Sequence, residues 1–197
     1  MTDTPYPAFK KIPRLSRGCV ITEKIDGTNG LISIDADGTV RAGSRNRWLK
    51  HDGDKKGDNY DFAKWVYERR SELLLLLGPG LHYGEYWGQG IARNYDLTER
   101  RFSLFNSGRW KGLNGEQISG LYVVPEITAG VFTDGLVAEA LASLAAGGSL
   151  ASPGFDKPEG VVIFHAASRN FYKKLLEGDE LPKGVVPRDE REGIPID

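Results

Sequence analysis

The chain has 197 residues, a length that fits one domain of ordinary size. Its 26 basic and 27 acidic side chains leave a net charge of −1, which argues against a polybasic nucleic-acid coat, so any polyanion site has to be local. The single cysteine excludes an internal disulfide, and the longest aliphatic run, 73–77, is far short of the roughly 20 residues of a membrane helix, so we expect a cytoplasmic protein without a membrane span.

Short strands account for most of the chain between residues 19 and 175. Runs of β-branched and aromatic residues bounded by turns predict strands at 19–24, 30–34, 39–44, 81–87, 102–106, 120–125, 160–165 and 170–175. Asp37-Gly38 is expected to join the second and third strands into a hairpin, and residues 166–169 to join the last two.

Two segments have helical periodicity, and each begins after a residue that can cap a helix. The first follows Asp58 or Asp61 and ends at a Gly-Pro pair, and the second follows Thr133 or Asp134 and ends at a Gly-Gly pair. Because hairpins outnumber crossovers, the predicted fold class is α+β, with largely antiparallel sheets flanked by helices.

Charge is unevenly distributed along the chain. Residues 10–17 contain four bases and no acid, and residues 41–70 contain nine bases and five acids. Residues 176–197 contain seven acids and three bases and are interrupted by prolines, so we expect a polar C-terminal tail on a single domain spanning 1–197. Any nucleic-acid contact is expected to use the two basic segments and to involve few phosphates.

The most informative stretch is 22–30, where Lys24 leaves a predicted strand and the turn Asp26-Gly27 follows at once. Asp26-Gly27 supplies a tight reversal in which glycine tolerates a positive φ, and the exposed amides of 27–30 could approach a phosphate. A lysine in such a place is either a charge for phosphate or an amine nucleophile, and the second role requires burial or a nearby cation because free lysine has a pKa of ~10.4. Taken alone, Lys-x-Asp-Gly is a weak motif that also fits a surface lysine.

Five further motifs follow in order, and together they are improbable by chance. They are Ser44-Arg45-Asn46-Arg47, Gly84-Glu85-Tyr86-Trp87-Gly88, Phe102-Ser103-Leu104-Phe105-Asn106, Lys157-Pro158-Glu159-Gly160-Val161-Val162 and Tyr172-Lys173-Lys174. With them the chain resembles the covalent nucleotidyltransferase superfamily of polynucleotide ligases and capping enzymes. Residues 23–29 are most similar to its bacteriophage RNA ligase 2 branch, and the resemblance runs from about residue 20 to residue 175.

The resemblance implies a nucleotidyltransferase (ligase adenylation) domain and a three-step reaction. A lysine attacks the α-phosphorus of ATP, the AMP moves to a 5′-phosphate end, and a 3′-hydroxyl then displaces AMP to seal the strand. It also implies Mg²⁺ or Mn²⁺ and a nucleic-acid partner, RNA in the first place, with nicked or separate 5′-phosphate and 3′-hydroxyl ends. The oligomeric state does not follow from these residues.

The motif positions imply a role for each candidate residue. Lys24 would be the adenylated nucleophile, Glu159 an acid near the metal and the reacting lysine, and Lys173 a cation on the α-phosphate. The implied nucleotide-binding residues are Glu23 (adenine), Ile25, Asn29 (phosphate), Arg45 (ribose and phosphate), Glu85 (ribose hydroxyls), Phe105 (stacking on adenine) and Lys174. General chemistry agrees, since a carboxylate accepts two hydroxyl hydrogen bonds, an arginine fork suits phosphate and an aromatic face suits a purine.

Each of these residues could instead have a purely structural role. Strand alternation allows only one lysine of the pair Lys173-Lys174 to face the site, and both can be edge-strand charges. Arg45 and Arg47 can belong to a solvated face, Glu85 can form a structural ion pair, and Phe102 and Phe105 can be plain core.

Two departures from the resemblance leave the function open. The last motif of relatives has two lysines separated by one residue, whereas here Leu175 occupies the second position, so either a one-residue bulge redirects Lys174 or a cation is missing. We also expect a catalytic core without the barrel or helical domain that relatives append. Besides an RNA ligase, the sequence therefore allows a non-catalytic module that binds nucleotides or nucleic-acid ends, a minimal DNA ligase, and a GTP-directed capping enzyme.

Overall fold

The computed structural model describes residues 6–51 and 56–179. In chain order the elements are β1 (Gly18–Lys24), β2 (Thr28–Ile34), β3 (Val40–Gly43), α1 (Phe62–Glu68), α2 (Arg70–Leu77), β4 (Gly80–Gly88), β5 (Arg100–Leu104), β6 (Leu121–Val123), β7 (Glu126–Val131), α3 (Asp134–Gly147), β8 (Gly160–His165) and β9 (Asn170–Leu175). No helix within these ranges is long and apolar enough to cross a membrane.

The strands form two sheets. The four-stranded sheet has the order β7-β1-β8-β9 and is antiparallel throughout. The five-stranded sheet has the order β3-β2-β4-β5-β6, and its one parallel pair is β5 with β6. This arrangement confirms the predicted α+β class with largely antiparallel sheets, together with both predicted hairpins.

Each sheet has its own apolar core. Helix α3 packs on the four-stranded sheet through Val137, Ala140 and Leu144, which lie against Ile21 and Val161. The larger core lies on one face of the five-stranded sheet, where the rings of Phe62, Trp65, Tyr86 and Phe102 contact one another. Burial of these aromatic rings supplies much of the stabilisation of the fold.

A third, smaller cluster supports the connection between the sheets. β1 ends at Lys24 in the four-stranded sheet and β2 begins at Thr28 in the five-stranded sheet, so the chain passes from one sheet to the other over three residues. Ile25 in this connection is buried against Trp87, Tyr95, Val124 and Phe155. The junction is therefore packed on apolar side chains directly beside Lys24.

Most predicted elements are present, with two differences. All eight predicted strands occur, but β7 was not predicted. The first predicted helix is two helices, because the backbone at Arg69 (φ −108°, ψ 13°) leaves the helical region. Asp58 is the aspartate that caps it, since its carboxylate accepts the amides of Ala63 and Lys64. Of the predicted polar tail, 176–197, the residues from 180 onward lie outside the described part of the chain.

Candidate active site

Lys24 and Glu159 form an ion pair where β1 and β8 meet. Lys24 is the last residue of β1 and is paired in register with Gly160, so Glu159, one residue earlier, lies beside it. Lys24 Nζ donates a hydrogen bond to Glu159 Oε2, and the two side chains are 22% and 15% exposed. The amine predicted as nucleophile is thus partly buried and in contact with the acid predicted beside it.

Glu85 lies across the junction on β4, directly opposite Asn29 of β2. Asn29 Nδ2 donates to Glu85 Oε2 over 2.9 Å. Burial raises the pKa of Glu85 to about 7, although the charge of Lys24 and hydrogen bonds from Asn29 and the Gly27 backbone lower it, while the charge of Glu159 adds to the rise. Hydroxyl groups that donate hydrogen bonds to this carboxyl group would favour its ionised form, which is the stronger acceptor.

Close packing is what requires glycine at 27. The backbone does not use the positive φ that glycine tolerates, because Gly27 is not among the positive-φ glycines of the described chain. A Cβ at Gly27 would lie 2.5 Å from the Tyr86 carbonyl oxygen and 2.8 Å from Trp87 Cβ. The absence of a side chain lets the loop after Lys24 lie on β4 next to Glu85. The expected phosphate contact by Gly30 is also not supported, since Gly30 is buried against Phe62 and Phe102.

Phe105 lies just after β5, on the same face of the five-stranded sheet as Glu85. Its amide donates to the Tyr83 carbonyl just beyond the end of β5, and Tyr83 lies two residues from Glu85 on the same face of β4. Phe105 is 38% exposed, whereas Phe102 is fully buried. Phe102 is therefore plain core, and Phe105 presents a ring at the surface one row from Glu85.

Strand register separates the two lysines of the last motif. Lys173 is paired with Val162, which is paired with Thr22, so Lys173 shares a face of the sheet with Lys24. Lys174 belongs to the opposite face, and its Nζ donates to Asp179 Oδ2 over 3.0 Å. The register of β8 and β9 is unbroken, so the proposed bulge is wrong and the position of the second family lysine is occupied by Leu175.

The two arginines of the second motif differ in their surroundings. Arg47 donates to the carbonyls of Lys56, Gly57 and Asp58 and holds that segment against the end of β3. Arg45 is exposed and makes no hydrogen bond or ion pair within the described residues. β3 ends at Gly43, which is paired with Leu31 of β2, and Arg45 lies in the tight turn that follows, closed by the bond from the Ser44 amide to the Arg47 carbonyl.

Glu23 and Ile25 point away from this group. Glu23 is 1% exposed, and its carboxylate accepts the Ser149 hydroxyl (2.6 Å) and the amides of Leu150 and Ala151 (2.8 Å each). Burial raises its pKa, and these three hydrogen bonds oppose that rise. The Ile25 side chain is core. Contacts of Glu23 and Ile25 with a nucleotide remain predictions, while in the structure both residues anchor the junction.

One further arginine belongs to the site and was not predicted. Arg93 Nε donates to Asp26 Oδ2 (3.2 Å), and Arg93 Nη1 donates to the Lys157 carbonyl (3.0 Å). It thereby ties the loop after Lys24 to the segment before Glu159. The Asp26 amide donates to the Tyr95 hydroxyl (2.8 Å) from the same loop. Local sequence patterns gave no signal for this tertiary contact.

The loop that carries Arg93 has an unusual backbone. The residues Ala92, Asn94, Tyr95 and Asp96 all have positive φ, between 44° and 61°. Such conformations cost free energy in residues other than glycine and persist where surrounding contacts enforce them. Here the enforcing contacts include the buried Tyr95 ring and the Ser152 hydroxyl bonded to its carbonyl.

The acidic residues present suit a divalent cation that is shared with a substrate. No group of three or more histidine, cysteine, aspartate or glutamate side chains in the described part of the chain could hold a metal by itself. Mg²⁺ in nucleotide sites is commonly bound by one or two carboxylates and by substrate phosphates. Glu159 and the nearby Glu85 are carboxylates of that kind, so the donor set fits.

Comparisons with known proteins identify the family to which this two-sheet fold and its site belong. The family model described as RNA ligase matches residues 17–176, so this chain belongs to the RNA ligase family. The match includes all ten predicted site residues. No curated protein sequence matches the chain.

Solved structures of Naegleria gruberi RNA ligase are similar to this chain in fold. A mutant with ATP and Mn has a TM-score of 0.61 and 20% identity, over 83% of this chain and 51% of that chain. A second mutant with ATP and Mn has a TM-score of 0.59 and 17% identity, over 88% of this chain and 58% of that chain. A third, with AMP and Mn, has a TM-score of 0.59 and 20% identity, over 82% of this chain and 50% of that chain. This chain therefore spans about half the length of these relatives.

Proposed function

We propose that this chain is an ATP-dependent RNA ligase that acts through a covalent lysyl-AMP intermediate. The observation that carries the proposal is the partly buried pair of Lys24 and Glu159 beside Glu85, inside the segment that matches the RNA ligase family. The solved relatives with ATP, AMP and Mn support the choice of nucleotide and metal.

In the first step, the Lys24 amine bonds to the α-phosphorus of ATP and pyrophosphate leaves. Lys24 must first lose one proton, and Glu159, already hydrogen-bonded to Nζ, is the nearest acceptor. Glu85 accepts hydrogen bonds from the ribose hydroxyls, Phe105 stacks on the adenine, and Arg45 and Lys173 neutralise phosphate oxygens. The amine and the α-phosphorus are then held in position before reaction.

Two further transfers complete ligation. A 5′-phosphate oxygen of the nucleic acid attacks the phosphorus of the lysyl-AMP, and Lys24 leaves as the amine. A 3′-hydroxyl then attacks the activated 5′-phosphate and releases AMP. Lys173 shares the face of Lys24, so it can remain beside the phosphate that is transferred.

Glu159, with Glu85 close by, would hold the divalent cation together with the triphosphate. When bound, Mg²⁺ or Mn²⁺ stabilises negative charge on the phosphoryl oxygens and on the leaving pyrophosphate. Because Glu159 cannot hold a cation and keep its full interaction with Lys24, binding of a cation would weaken this ion pair.

The direct test is transfer of label from ATP labelled on the α-phosphate to the protein in the presence of Mg²⁺ or Mn²⁺. Lys24→Ala should abolish labelling. Lys157→Ala should not, because Lys157 is exposed and contributes only a backbone carbonyl to the site. Labelling of Lys24→Ala at the wild-type level would reject this nucleophile.

A second candidate, a non-catalytic module that binds nucleotides or nucleic-acid ends, is favoured by one observation. Leu175 occupies the place of the second family lysine, and the unbroken register leaves Lys174 on the opposite face. Such a module would be stabilised against heat by ATP without forming an adduct. A stoichiometric adduct would reject it, and competition between ATP and GTP would test a capping activity.

The proposed partner is RNA with 5′-phosphate and 3′-hydroxyl ends, either at a nick or on separate strands, and a cytoplasmic location is part of this proposal. Parallel reactions on nicked RNA, nicked DNA and hybrid duplexes test the choice of nucleic acid. Faster sealing of nicked DNA than of nicked RNA would favour the minimal DNA ligase instead.

A further inference from the structure

The four-stranded sheet has one covered face and one open face. Alternate residues such as Ile21 and Val161 form the face on which α3 packs. The intervening residues form the other face, which includes Lys24 and extends away from it. At its far end Phe171 is 64% exposed and Val131 is 58% exposed. The surface that carries the proposed nucleophile therefore continues as an open surface with exposed apolar groups.

An aromatic pair lies on this open face, next to the row that contains Lys173. The successive rows, starting at the nucleophile, are Lys24-Gly160-Leu175, Thr22-Val162-Lys173 and Val20-Phe164-Phe171. The rings of Phe164 and Phe171 are in contact, with centroids 4.9 Å apart and planes inclined by 41°. An exposed aromatic surface thus follows directly after a cation on the same face.

A further cation lies beyond the aromatic pair. Arg169 is exposed in the turn between β8 and β9, two residues before Phe171. Lys173 follows Phe171 by two residues on β9. Cations therefore lie before and after the aromatic pair at this edge of the sheet.

From this arrangement, and resting on the proposed ligase function, we propose that the open face is a track for a nucleic-acid strand leading to Lys24. Phosphates would lie along Lys173 and Arg169, and a base would stack on Phe171. Aromatic rings bind bases of any sequence by stacking. The β1 strand has six residue steps from Gly18 to Lys24, which is about 20 Å at the usual rise of a β-strand. This length accommodates ~six stacked nucleotides, or fewer when the nucleic acid is extended.

Charge favours a nucleic acid over a protein partner at this face. The exposed acid of the four strands is Glu126, which is paired with Thr22 in the row of Lys173 but lies on β7, at the opposite edge of the sheet from β9. An apolar partner surface would use the aromatic pair but not the cations Lys173 and Arg169. A polyanion uses both features, because phosphates neutralise cations and release counterions.

The test compares Phe171→Ala with Tyr172→Ala. Tyr172 is the neighbouring residue of the same strand and is 50% exposed, but it belongs to the opposite face, so it is a matched control. The affinity for a 5′-phosphorylated nicked RNA duplex is measured by fluorescence anisotropy on unadenylated protein, and labelling by ATP is measured in parallel. Melting curves confirm that both variants fold.

We expect Phe171→Ala to weaken RNA binding by about tenfold, the loss of one stacked base, without changing labelling by ATP. Tyr172→Ala should bind as the wild type does. Arg169→Asn, which suits the left-handed backbone there (φ 54°), should weaken RNA binding more at low salt than at high salt.

Unchanged RNA affinity in Phe171→Ala, or an equal loss in Tyr172→Ala, would overturn the track and leave a protein partner as the occupant of this face. This result is separate from failure of the ligase proposal. That failure would appear as absence of labelling in the wild-type protein, whereas RNA binding is measured without any adduct.

Discussion

Asn29 and Glu85 face each other across β2 and β4, with Asn29 Nδ2 2.9 Å from Glu85 Oε2. The contact joins the strand that follows the nucleophile loop to the acid proposed to bind ribose. Because Lys24 and Glu159 also act on Glu85 through their charges, these four residues form one electrostatic unit.

The raised pKa of Glu85 predicts a pH dependence of stability. Its folded value of about 7 lies above the ordinary 4.5, so the unfolded chain releases this proton more readily. The associated stability is fully present below pH 4.5 and is lost as pH rises through about 7. Glu85→Gln should lose this decline in urea unfolding between pH 5 and pH 8, whereas Glu72→Gln, at an exposed helical position, should retain it. Identical pH profiles for wild type and Glu85→Gln would contradict the assignment.

Glu159→Gln tests the acid that contacts the nucleophile. The amide can still form a hydrogen bond with Lys24, but it is a poor proton acceptor and a poor ligand for a divalent cation. We expect labelling by ATP to fall by about 100-fold or more. Glu139→Gln, at an exposed position of α3, is the control and should label normally. A normal labelling rate in Glu159→Gln would show that the ion pair is only structural.

Arg93→Lys tests the link between the loop after Lys24 and the segment before Glu159. Lysine retains the charge but cannot bond to Asp26 and the Lys157 carbonyl at the same time with the geometry of a guanidinium. We expect a lower rate of lysine adenylation with little change in the affinity for ATP, because the effect is on positioning. Arg70→Lys, at the exposed start of α2, serves as the control. Equal rates for both variants would argue against the positioning role.

Gly27→Ala tests the close approach of the nucleophile loop to β4. The added methyl group would lie 2.5 Å from a backbone carbonyl oxygen, which cannot move without disturbing the strand. We expect a loss of about 1–3 kcal/mol in the free energy of unfolding, together with loss of labelling. Gly147→Ala, where a Cβ meets nothing within 4 Å, should be neutral or slightly stabilising. A Gly27→Ala protein as stable and active as the wild type would contradict this packing.

The sequence predicted the strands and hairpins well because their signals are local. β-Branched and aromatic residues alternate within each of them, and turn residues such as Asp37-Gly38 mark their ends. β7 lacks such a signal: residues 128–131 are Thr-Ala-Gly-Val, and the strand is held at a sheet edge by pairing with β1 alone. The break at Arg69 likewise has no proline or glycine to announce it.

Sequence motifs located the site but could not describe how it is held together. The resemblance selected Lys24, Glu85 and Glu159 as candidates, and the structure brings these three together. The link through Arg93 depends on a loop whose non-glycine residues adopt left-handed conformations only because of tertiary contacts. The anchoring of Glu23 by residues 149–151 joins parts of the chain that are more than 120 residues apart, as the 126-residue separation from Ser149 shows.

The central claim is that the Lys24 amine becomes covalently attached to AMP. It is tested most directly by incubating the protein with ATP and Mg²⁺, digesting it, and mapping the adduct by mass spectrometry. We predict one AMP on the peptide that contains Lys24, attached to its side-chain nitrogen. Folded protein that binds ATP but carries no adduct, or carries it on another residue, would contradict the account.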